Sequence, residues 1–300
     1  MRTPRLFFLS FCAAALFTTA ALAQQDFSKV QIKTEKLSAT TYMMTGEGGN
    51  LGLSIGADAV FVIDDQFAPL TPKIKAAITK LTKKPIKFVL NTHWHFDHTG
   101  GNENMGKAGV LIVAHENVRK RMSAEGFIAF FGMKTKAEPK VALPVITFTQ
   151  NMAFHINGDE VYVSHIANAH TDGDAIVHFR NSDVIHMGDT FFNKIYPFID
   201  TSSGGKVDGM IGAADRVLAI AGDNTKIIPG HGPLADKTDL KAYRDMLATV
   251  SERIKAQIKD GKTLEEVLAT KPTAEFDEAW GKGFLMPQKW VEMMYENLKN

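Results

Sequence analysis

The stretch N-T-H-W-H-F-D-H-T-G-G-N, residues 91–102, places three histidines and one aspartate within six consecutive positions. It follows residues 86–90, I-K-F-V-L, an apolar run of the kind that forms a buried strand. A polar loop with incidental histidines would not gather four metal-capable side chains at one strand end. The segment therefore predicts a metal site in the loop that follows this strand.

The spacing within the loop indicates two directions of metal binding. Alternate residues of extended backbone point to the same side, so His93, His95 and Asp97 can converge on one point. His98 points elsewhere unless the chain turns, and residues 99–101, T-G-G, have the composition of a turn. Two directions from one loop predict two metal ions close together. Imidazole and carboxylate ligands suit Zn²⁺, with Fe or Mn as alternatives.

Further candidate ligands each follow a predicted strand. They are His170 in A-H-T-D-G-D, Asp189 in M-G-D-T and His231 in P-G-H-G. Loops at neighbouring strand ends can meet and build a shared site. The other histidines outside the first motif have no comparable context and are interpreted as ordinary surface or core residues: His115, His155, His165, His178 and His186.

In this order the motifs resemble the metal-binding motifs of the metallo-β-lactamase superfamily, over about residues 30–234. The resemblance implies an α/β protein of the layered α+β kind, an αβ/βα four-layer sandwich with a dinuclear metal site at the edge of its two sheets. It implies the following ligands: His93, His95 and His170 for one zinc, Asp97, His98 and His231 for the other, and Asp189 as a bridge. Asp64, in V-I-D-D, is similar to the family's aspartate that orients a ligand from beneath the first motif.

The rest of the chain carries strand and helix signals in alternating blocks. Short strands broken by turns are predicted over residues 30–65, and further strands over residues 144–186. Helices are predicted over residues 71–81, 115–135, 210–221, 234–259 and 263–269. This order fits two half-units, each a sheet covered by helices. We expect residues 24–300 to form one domain, with a C-terminal helical extension from about residue 234.

The N-terminal 23 residues have the pattern of a secretory signal peptide. Arg2 and Arg5 form a basic head, residues 6–17 are apolar, and residues 21–23, A-L-A, match a cleavage site. The apolar run is too short to anchor the chain in a bilayer. Cleavage after Ala23 would release a periplasmic or secreted protein.

Composition sets limits on partners and on covalent stabilisation. The only cysteine, Cys12, lies in the predicted leader, so the mature chain would have no disulfide. The sequence has 34 Lys and Arg against 33 Asp and Glu, and loss of Arg2 and Arg5 would leave a net charge of −1. A nearly neutral chain gives no electrostatic reason to expect nucleic-acid binding. No second long apolar run follows the leader, so no stable membrane anchor is expected.

The predicted site is equipped for hydrolysis of a small-molecule substrate. Two cations that share a water lower its pKa from 15.7 toward about 7, giving a metal-bound hydroxide at neutral pH. This hydroxide attacks a carbonyl while a metal stabilises the oxyanion. Asp97 would act catalytically, by holding the hydroxide's proton as well as binding metal. A metal-storage protein without catalysis is a further hypothesis, although the ligand set leaves room for a water.

The substrate class has two main interpretations. Export favours hydrolysis of β-lactam antibiotics, and hence antibiotic resistance, as the lead activity. Asp189 favours an ester, thioester or lactone hydrolase with incidental lactamase activity, because an aspartate resembles glyoxalase II, whereas well-known β-lactamases have cysteine or serine there. The lactamase lysine that anchors the substrate carboxylate corresponds to Phe192, and Lys194 is the predicted substitute in substrate binding.

Apolar segments outside the strands are each open to two interpretations. Phe127, within the apolar group of residues 127–133, either contacts substrate as part of a lid or packs a helix against the core. Residues 280–295 are expected to cover the chain's own surface or a second copy, so the protein is a monomer or a homodimer. Trp94 and Phe96 are interpreted as packing that stiffens the metal loop.

Overall fold

The structure is a computed structural model that describes residues 26–299. The signal peptide predicted for residues 1–23 lies outside the described residues. Within residues 26–299, no helix combines the length and the apolar character that crossing a bilayer requires.

The strands form two large sheets and one small hairpin. They are β1 (Lys33–Lys36), β2 (Thr41–Thr45), β3 (Leu51–Ile55), β4 (Val60–Ile63), β5 (Ile86–Asn91), β6 (Leu111–His115), β7 (Gly126–Ile128), β8 (Met133–Thr135), β9 (Ile146–Phe148), β10 (Asn151–Ile156), β11 (Asp159–Ile166), β12 (Asp174–Phe179), β13 (Val184–His186) and β14 (Lys226–Ile228). The first sheet has the order β1-β2-β3-β4-β5-β6-β9, the second β10-β11-β12-β13-β14, and β7 pairs with β8.

Helical segments connect the strands and cover the sheets. They are α1 (Thr71–Leu81), α2 (Phe96–Thr99), α3 (Asn102–Lys107), α4 (Glu116–Met122), α5 (Val207–Ile220), α6 (Lys237–Lys259), α7 (Leu264–Ala269), α8 (Asp277–Trp280) and α9 (Pro287–Lys299). Strands joined by turns or short loops pair antiparallel, as β1 to β4 and β10 to β13 do. Strands joined by longer, helix-containing connections, such as β4 and β5, pair parallel.

Alternation of apolar residues along the strands builds the four layers. In β4, Phe61 and Ile63 point to the core between the two sheets, where they meet β11 and β12. Val60 and Val62 point the other way, into the core under α1. The outer face of the second sheet packs against α5, α6 and α9. The αβ/βα four-layer sandwich predicted from the sequence is confirmed.

The helix predicted over residues 115–135 is wrong beyond Met122. The chain instead forms the β7–β8 hairpin, which we call the aromatic hairpin (residues 126–135). Gly132 closes its turn with a φ of 61°, a left-handed conformation that glycine adopts without strain. The apolar residues 127, 128, 130, 131 and 133 do not follow one helical stripe, and the strands place successive side chains on opposite faces.

The C-terminal helix α9 is buried against the chain itself. Trp290 is fully buried, stacks on Tyr196 with ring centroids 4.1 Å apart, and donates its indole N–H to the carbonyl of Pro197 at 2.9 Å. Met294 lies in the same core, whereas Phe284, in the connection before α9, is exposed. Most of the apolar C-terminal stretch therefore covers the chain's own surface.

Replacing Trp290 by alanine tests whether the C-terminal helices fold with the rest of the chain. We expect Trp290→Ala to lower the free energy of unfolding by about 3–5 kcal/mol, because a large aromatic side chain leaves a cavity. Urea denaturation followed by circular dichroism should still give one transition if residues 24–300 are one folding unit. Gln288→Ala, at an exposed position of the same helix, serves as the control. A separate early transition for the C-terminal helices would contradict the single-domain prediction.

Candidate active site

The loop of residues 91–102, which we call the metal loop, turns earlier than its sequence predicts. It leaves β5 in extended backbone, but α2 begins at Phe96, and the N–H of His98 donates to the carbonyl of His95 at 3.0 Å. Alternation therefore holds for His93 and His95 only. The helical turn carries Asp97 away from these two and brings it beside His98.

The seven predicted ligands come together in three overlapping groups. In each group the candidate ligand atoms all lie within 4.8 Å of one another, and the groups are His93, His95 and His170; His93, His98 and Asp189; and Asp97, His98 and His231. We call the first group centre 1 and the third group centre 2. Asp189 reaches both, because its Oδ2 lies 3.6 Å from His170 Nε2 and its Oδ1 lies 3.0 Å from His98 Nε2.

Asp64 sets the orientation of one histidine in each centre. Its buried carboxylate accepts from His98 Nδ1 at 2.8 Å, and from the Thr92 backbone N–H at 2.7 Å and hydroxyl at 2.8 Å. Because the Thr92 hydroxyl proton goes to Asp64, Thr92 Oγ1 accepts from His93 Nδ1, at 3.1 Å. In their neutral forms, which are the forms that bind metal, both imidazoles would present an unprotonated Nε2. The predicted role of Asp64 thus extends to two ligands.

Asp200 orients a histidine of centre 1, a role that the sequence analysis did not predict. Its Oδ2 accepts from His95 Nε2 at 3.0 Å, and the carbonyl of Phe198 accepts from His170 Nδ1 at 2.8 Å. These bonds leave His95 Nδ1 facing His170 Nε2 at 2.9 Å, with a lone pair on each. Asp200 is followed by Thr201, Ser202 and Ser203, as at many turn caps, and no local pattern connects it with His95.

The donor set fits divalent cations. His95 and His170 direct lone pairs at each other, and His93 Nε2 is buried without a hydrogen-bond partner among the described residues. Facing lone pairs repel unless a cation or a proton lies between them. Imidazole nitrogens with one or two carboxylates are ligands that zinc and related metals prefer. His93, His95, His170 and Asp189 would hold one cation, and Asp97, His98, His231 and Asp189 the other.

Electrostatics keep the carboxylates of the site ionised and two of its histidines neutral. Burial alone would raise the pKa of Asp97, but the neighbouring His98 and His231 lower it to about 2. Burial lowers the pKa of His170 to about 4 and that of His93 well below its ordinary value. Neutral imidazoles and ionised carboxylates are the forms that bind metal.

In centre 2 the carboxylates raise the pKa of two histidines, His98 and His231, instead of leaving it lowered by burial. Burial would lower the pKa of His231, yet Asp189 and Asp97 raise it to about 9. Burial likewise disfavours charged His98, and the surrounding aspartates raise its pKa well above its ordinary value. This concentration of negative charge attracts cations, so bound protons and metal ions compete for the same lone pairs.

A cavity of about 590 Å³ opens directly over the ligands. Its polar floor consists of His95, Asp97, Asp189 and His231. Its walls are mainly apolar and come from separate parts of the chain: Phe67, Phe96, Ile128, Phe131, Phe192, Phe198 and Phe284, with Gly46, Glu47 and Gly48 at one side. Among the described residues that line it there is no lysine or arginine.

Two predicted substrate contacts lie outside this cavity. Lys194 is half exposed and its Nζ pairs with Asp239 at 2.8 Å, away from the ligands. Phe127 lies on the opposite face of the aromatic hairpin from Ile128, where it lines a separate cavity beside Trp94. Strand alternation is the reason, because neighbouring positions of β7 face opposite sides. The structure therefore does not bring Lys194 or Phe127, the two predicted substrate contacts, into the cavity over the candidate ligands.

The cavity wall includes aromatic residues that the sequence did not single out for this role. Phe131 and Phe284 are both about half exposed and face the cavity. Phe96, interpreted from the sequence as packing, is 45% exposed and lines the cavity as well, whereas Trp94 is buried as expected. Exposed phenylalanines around one opening are a signal of ligand binding that becomes visible only after folding.

A four-layer sandwich with buried histidines and carboxylates at one sheet edge defines a metal-dependent hydrolase. Residues 55–242 match the family profile described as the metallo-beta-lactamase superfamily. The match covers more than half of the sequence, and the chain belongs to this superfamily. The volume of the cavity over the candidate ligands is in the range of small-molecule sites.

Relatives in sequence and in structure have different activities. The hydroxyacylglutathione hydrolase of Pelagibacter ubique is 26% identical over 200 residues, which cover 64% of this chain and 70% of the relative. The metallo-beta-lactamase from Pontibacter korlensis superposes with a TM-score of 0.57 at 21% identity, over 73% of this chain and 99% of that chain. The sec-alkylsulfatase Pisa1 from Pseudomonas sp. has a TM-score of 0.65 at 20% identity, over 88% of this chain and 50% of that chain. At these identities the structural likeness establishes the fold alone.

Substitutions of Asp64 and Thr92 test how the ligands are oriented. We expect Asp64→Asn to weaken metal binding at both centres, by about 10–100-fold, because it disturbs His98 directly and His93 through Thr92. Thr92→Val keeps the side-chain shape and should weaken centre 1 only. Stepwise zinc titration against a chromogenic chelator measures the two affinities separately.

The surface variant His155→Ala is the control for these titrations, since His155 is an exposed strand residue away from the ligands. It should bind as many metal ions as the unmodified protein, with the same affinities. Equal losses at both centres in Thr92→Val would contradict the orientation inferred for His93.

Proposed function

We propose that this protein is a dinuclear zinc hydrolase that cleaves neutral carboxylic esters, and the related thioesters and lactones, whose acyl group is apolar. The observation that carries the proposal is the cavity over the ligands, which is walled by phenylalanine and has no lysine or arginine among its described lining residues. The zinc assignment follows from the nitrogen-rich ligand set. The curated relatives, named as hydroxyacylglutathione hydrolases, support hydrolysis of an acyl bond.

The cavity wall favours apolar over charged substrates. Burial of apolar substrate surface against these rings contributes about 25 cal/mol per Å². A carboxylate placed against the same wall would lose its hydration and find no cationic side chain there. β-Lactam antibiotics and glutathione conjugates both carry carboxylates. The ester hydrolase interpretation is therefore preferred to β-lactam hydrolysis, the lead activity expected from the sequence.

The chain's own residues can perform the remaining steps of hydrolysis. When bound, two zinc ions would lower the pKa of a shared water toward about 7 and polarise the acyl carbonyl. Asp97 is ionised, is 20% exposed at the cavity floor, and can hold the proton of the attacking water at Oδ2. Phe192 stacks on His231 with ring centroids 5.2 Å apart and keeps that ring in place. The aromatic walls exclude bulk water from the acyl group.

Export is part of the same proposal and is supported by the predicted signal peptide at residues 1–23. Cleavage after Ala23 would leave the folded part of the chain without cysteine, so its stability would not depend on the redox state of the periplasm or the medium. Mass spectrometry of the protein recovered from the periplasm would identify its first residue.

A kinetic comparison on zinc-loaded protein tests the substrate class. The panel contains p-nitrophenyl esters of increasing acyl length, an alkyl lactone, an acyl thioester and a chromogenic cephalosporin. We expect kcat/KM for the longer esters to exceed that for the cephalosporin by more than about tenfold, since one unpaired buried charge costs more than 1.4 kcal/mol. A preference for the cephalosporin would overturn the proposal in favour of a β-lactamase.

Matched substitutions on the two faces of the aromatic hairpin test the acyl site. Phe131→Ala removes a cavity-lining ring and should raise KM for the longest esters about tenfold, with a smaller effect on acetate esters. Phe127→Ala, on the other face of the same hairpin, should leave both values close to those of the unmodified protein. Equal effects of the two substitutions would indicate a general disturbance of the hairpin and contradict the assigned acyl site.

A further inference from the structure

The aromatic hairpin makes one polar contact that leads to a metal ligand. The backbone N–H of Ala129, at the start of the hairpin turn, donates to Ser202 Oγ at 3.2 Å. The Ser202 hydroxyl donates in turn to Asp200 Oδ1. Asp200 Oδ2 accepts from His95 Nε2 at 3.0 Å, and His95 Nδ1 faces centre 1. An unbroken chain of hydrogen bonds therefore runs from the hairpin backbone to a candidate ligand atom.

Each bond in this chain strengthens the next. A hydroxyl that accepts a hydrogen bond becomes a better donor, and the effect is larger where water is excluded. Asp200 and His95 are both buried, so the last hydrogen bonds of this series lie where water is excluded. Groups that hold a ligand histidine in place also set its basicity and its angle to the metal.

We propose that Ser202 is a positioning residue that couples the aromatic hairpin to His95 through Asp200. This inference rests on the proposed function, because the hairpin is the part of the wall that an apolar acyl group meets through Ile128 and Phe131. Movement of the hairpin toward or away from the acyl group changes the Ala129 bond, and with it the hold of Asp200 on His95. The ligand geometry and the metal affinity of centre 1 then depend on whether an acyl group occupies the cavity.

Aromatic packing also connects the hairpin with His95, and its effect must be separated from that of the hydrogen bonds. Phe131 packs on Phe198 with ring centroids 4.9 Å apart, and Phe198 stacks against His95 at 5.8 Å. Ser203 offers the matched control for the polar route. Its hydroxyl donates to Asp200 Oδ2 at 2.5 Å, and within residues 26–299 no hydrogen bond joins it to the hairpin.

The substitution Ala129→Pro removes only the first bond of the chain. Proline has no N–H, and its fixed φ suits the first position of a helical turn, where Ala129 lies. Ile128 before it is extended, with φ −91° and ψ 97°, as a residue preceding proline prefers. Pairing between β7 and β8 does not include Ala129. Phe131 and Phe198 keep their side chains, so the apolar route remains.

The experiment is a pair of double-substitution cycles on cobalt-loaded, substrate-free protein. One cycle combines Ala129→Pro with Ser202→Ala, and the other combines Ala129→Pro with Ser203→Ala. The visible absorption of cobalt(II) reports the geometry of its ligands, and titration with the metal gives its affinity. We expect Ala129→Pro and Ser202→Ala each to shift the spectrum and to weaken binding at centre 1 by up to about tenfold.

The two cycles have different expected outcomes. In the Ser202→Ala background Ala129→Pro should add nothing, because the link is already broken, whereas in the Ser203→Ala background its full effect should remain. Ser202→Thr retains the hydroxyl and should restore the original spectrum. Independent, additive effects in both cycles would overturn the proposal, as would an unchanged spectrum in Ser202→Ala. The Ser202→Ala and Ser202→Thr pair decides the matter by itself if the proline variant does not fold.

These readouts do not depend on ester hydrolysis. If the cobalt spectra show the coupling but no ester is cleaved, the proposed function fails and the positioning role of Ser202 stands. If esters are cleaved and the cobalt spectra do not change in Ala129→Pro and Ser202→Ala, the positioning role of Ser202 is wrong and the proposed function stands. As a further expected result, loss of Ser202 should lower kcat for long acyl esters more than for acetate esters.

Discussion

The buried carboxylate of Asp64 holds the candidate metal site together, because it orients one histidine in each centre. It accepts hydrogen bonds from His98 and from the backbone and hydroxyl of Thr92, and Thr92 in turn orients His93. Asp64 lies at the end of β4 with a φ of 60°, a backbone conformation that few non-glycine residues adopt. The strain is tolerated at the point where the first sheet meets the ligand loop.

Each half of the sandwich supplies ligands and also holds those of the other half. Asp200 and the carbonyl of Phe198 orient centre 1 from the second half of the chain. From the first half of the chain, the Asn50 amide donates to the carbonyls of Pro229 and Gly232, on either side of His231. Gly230 is needed in this loop because a Cβ there would lie 2.0 Å from Asp189 Oδ1. The site therefore forms only when the two sheets have packed.

The chemistry of the site and its selectivity come from different parts of the structure. The strand-end ligands are common to hydrolysis of many acyl bonds, and they do not choose among esters, thioesters and lactams. In the proposed function, the choice of substrate depends on the apolar wall, which is made by the aromatic hairpin, Phe96 of the metal loop and Phe284 before α9. The hairpin also contacts Ser202, so the selective wall and the reactive floor are joined by hydrogen bonds as well as by packing.

The sequence by itself determined the strand alternation that produces the four layers, and it pointed to the seven candidate ligands and to Asp64. It could do so because periodicity and short dense motifs are local properties of the chain. Only the tertiary structure decided that Asp200 holds His95, that Phe131 rather than Phe127 faces the cavity, and that Lys194 pairs with Asp239. Asp200 and His95 lie 105 positions apart. Contacts between such distant residues depend on how the sheets pack and leave no pattern in the sequence.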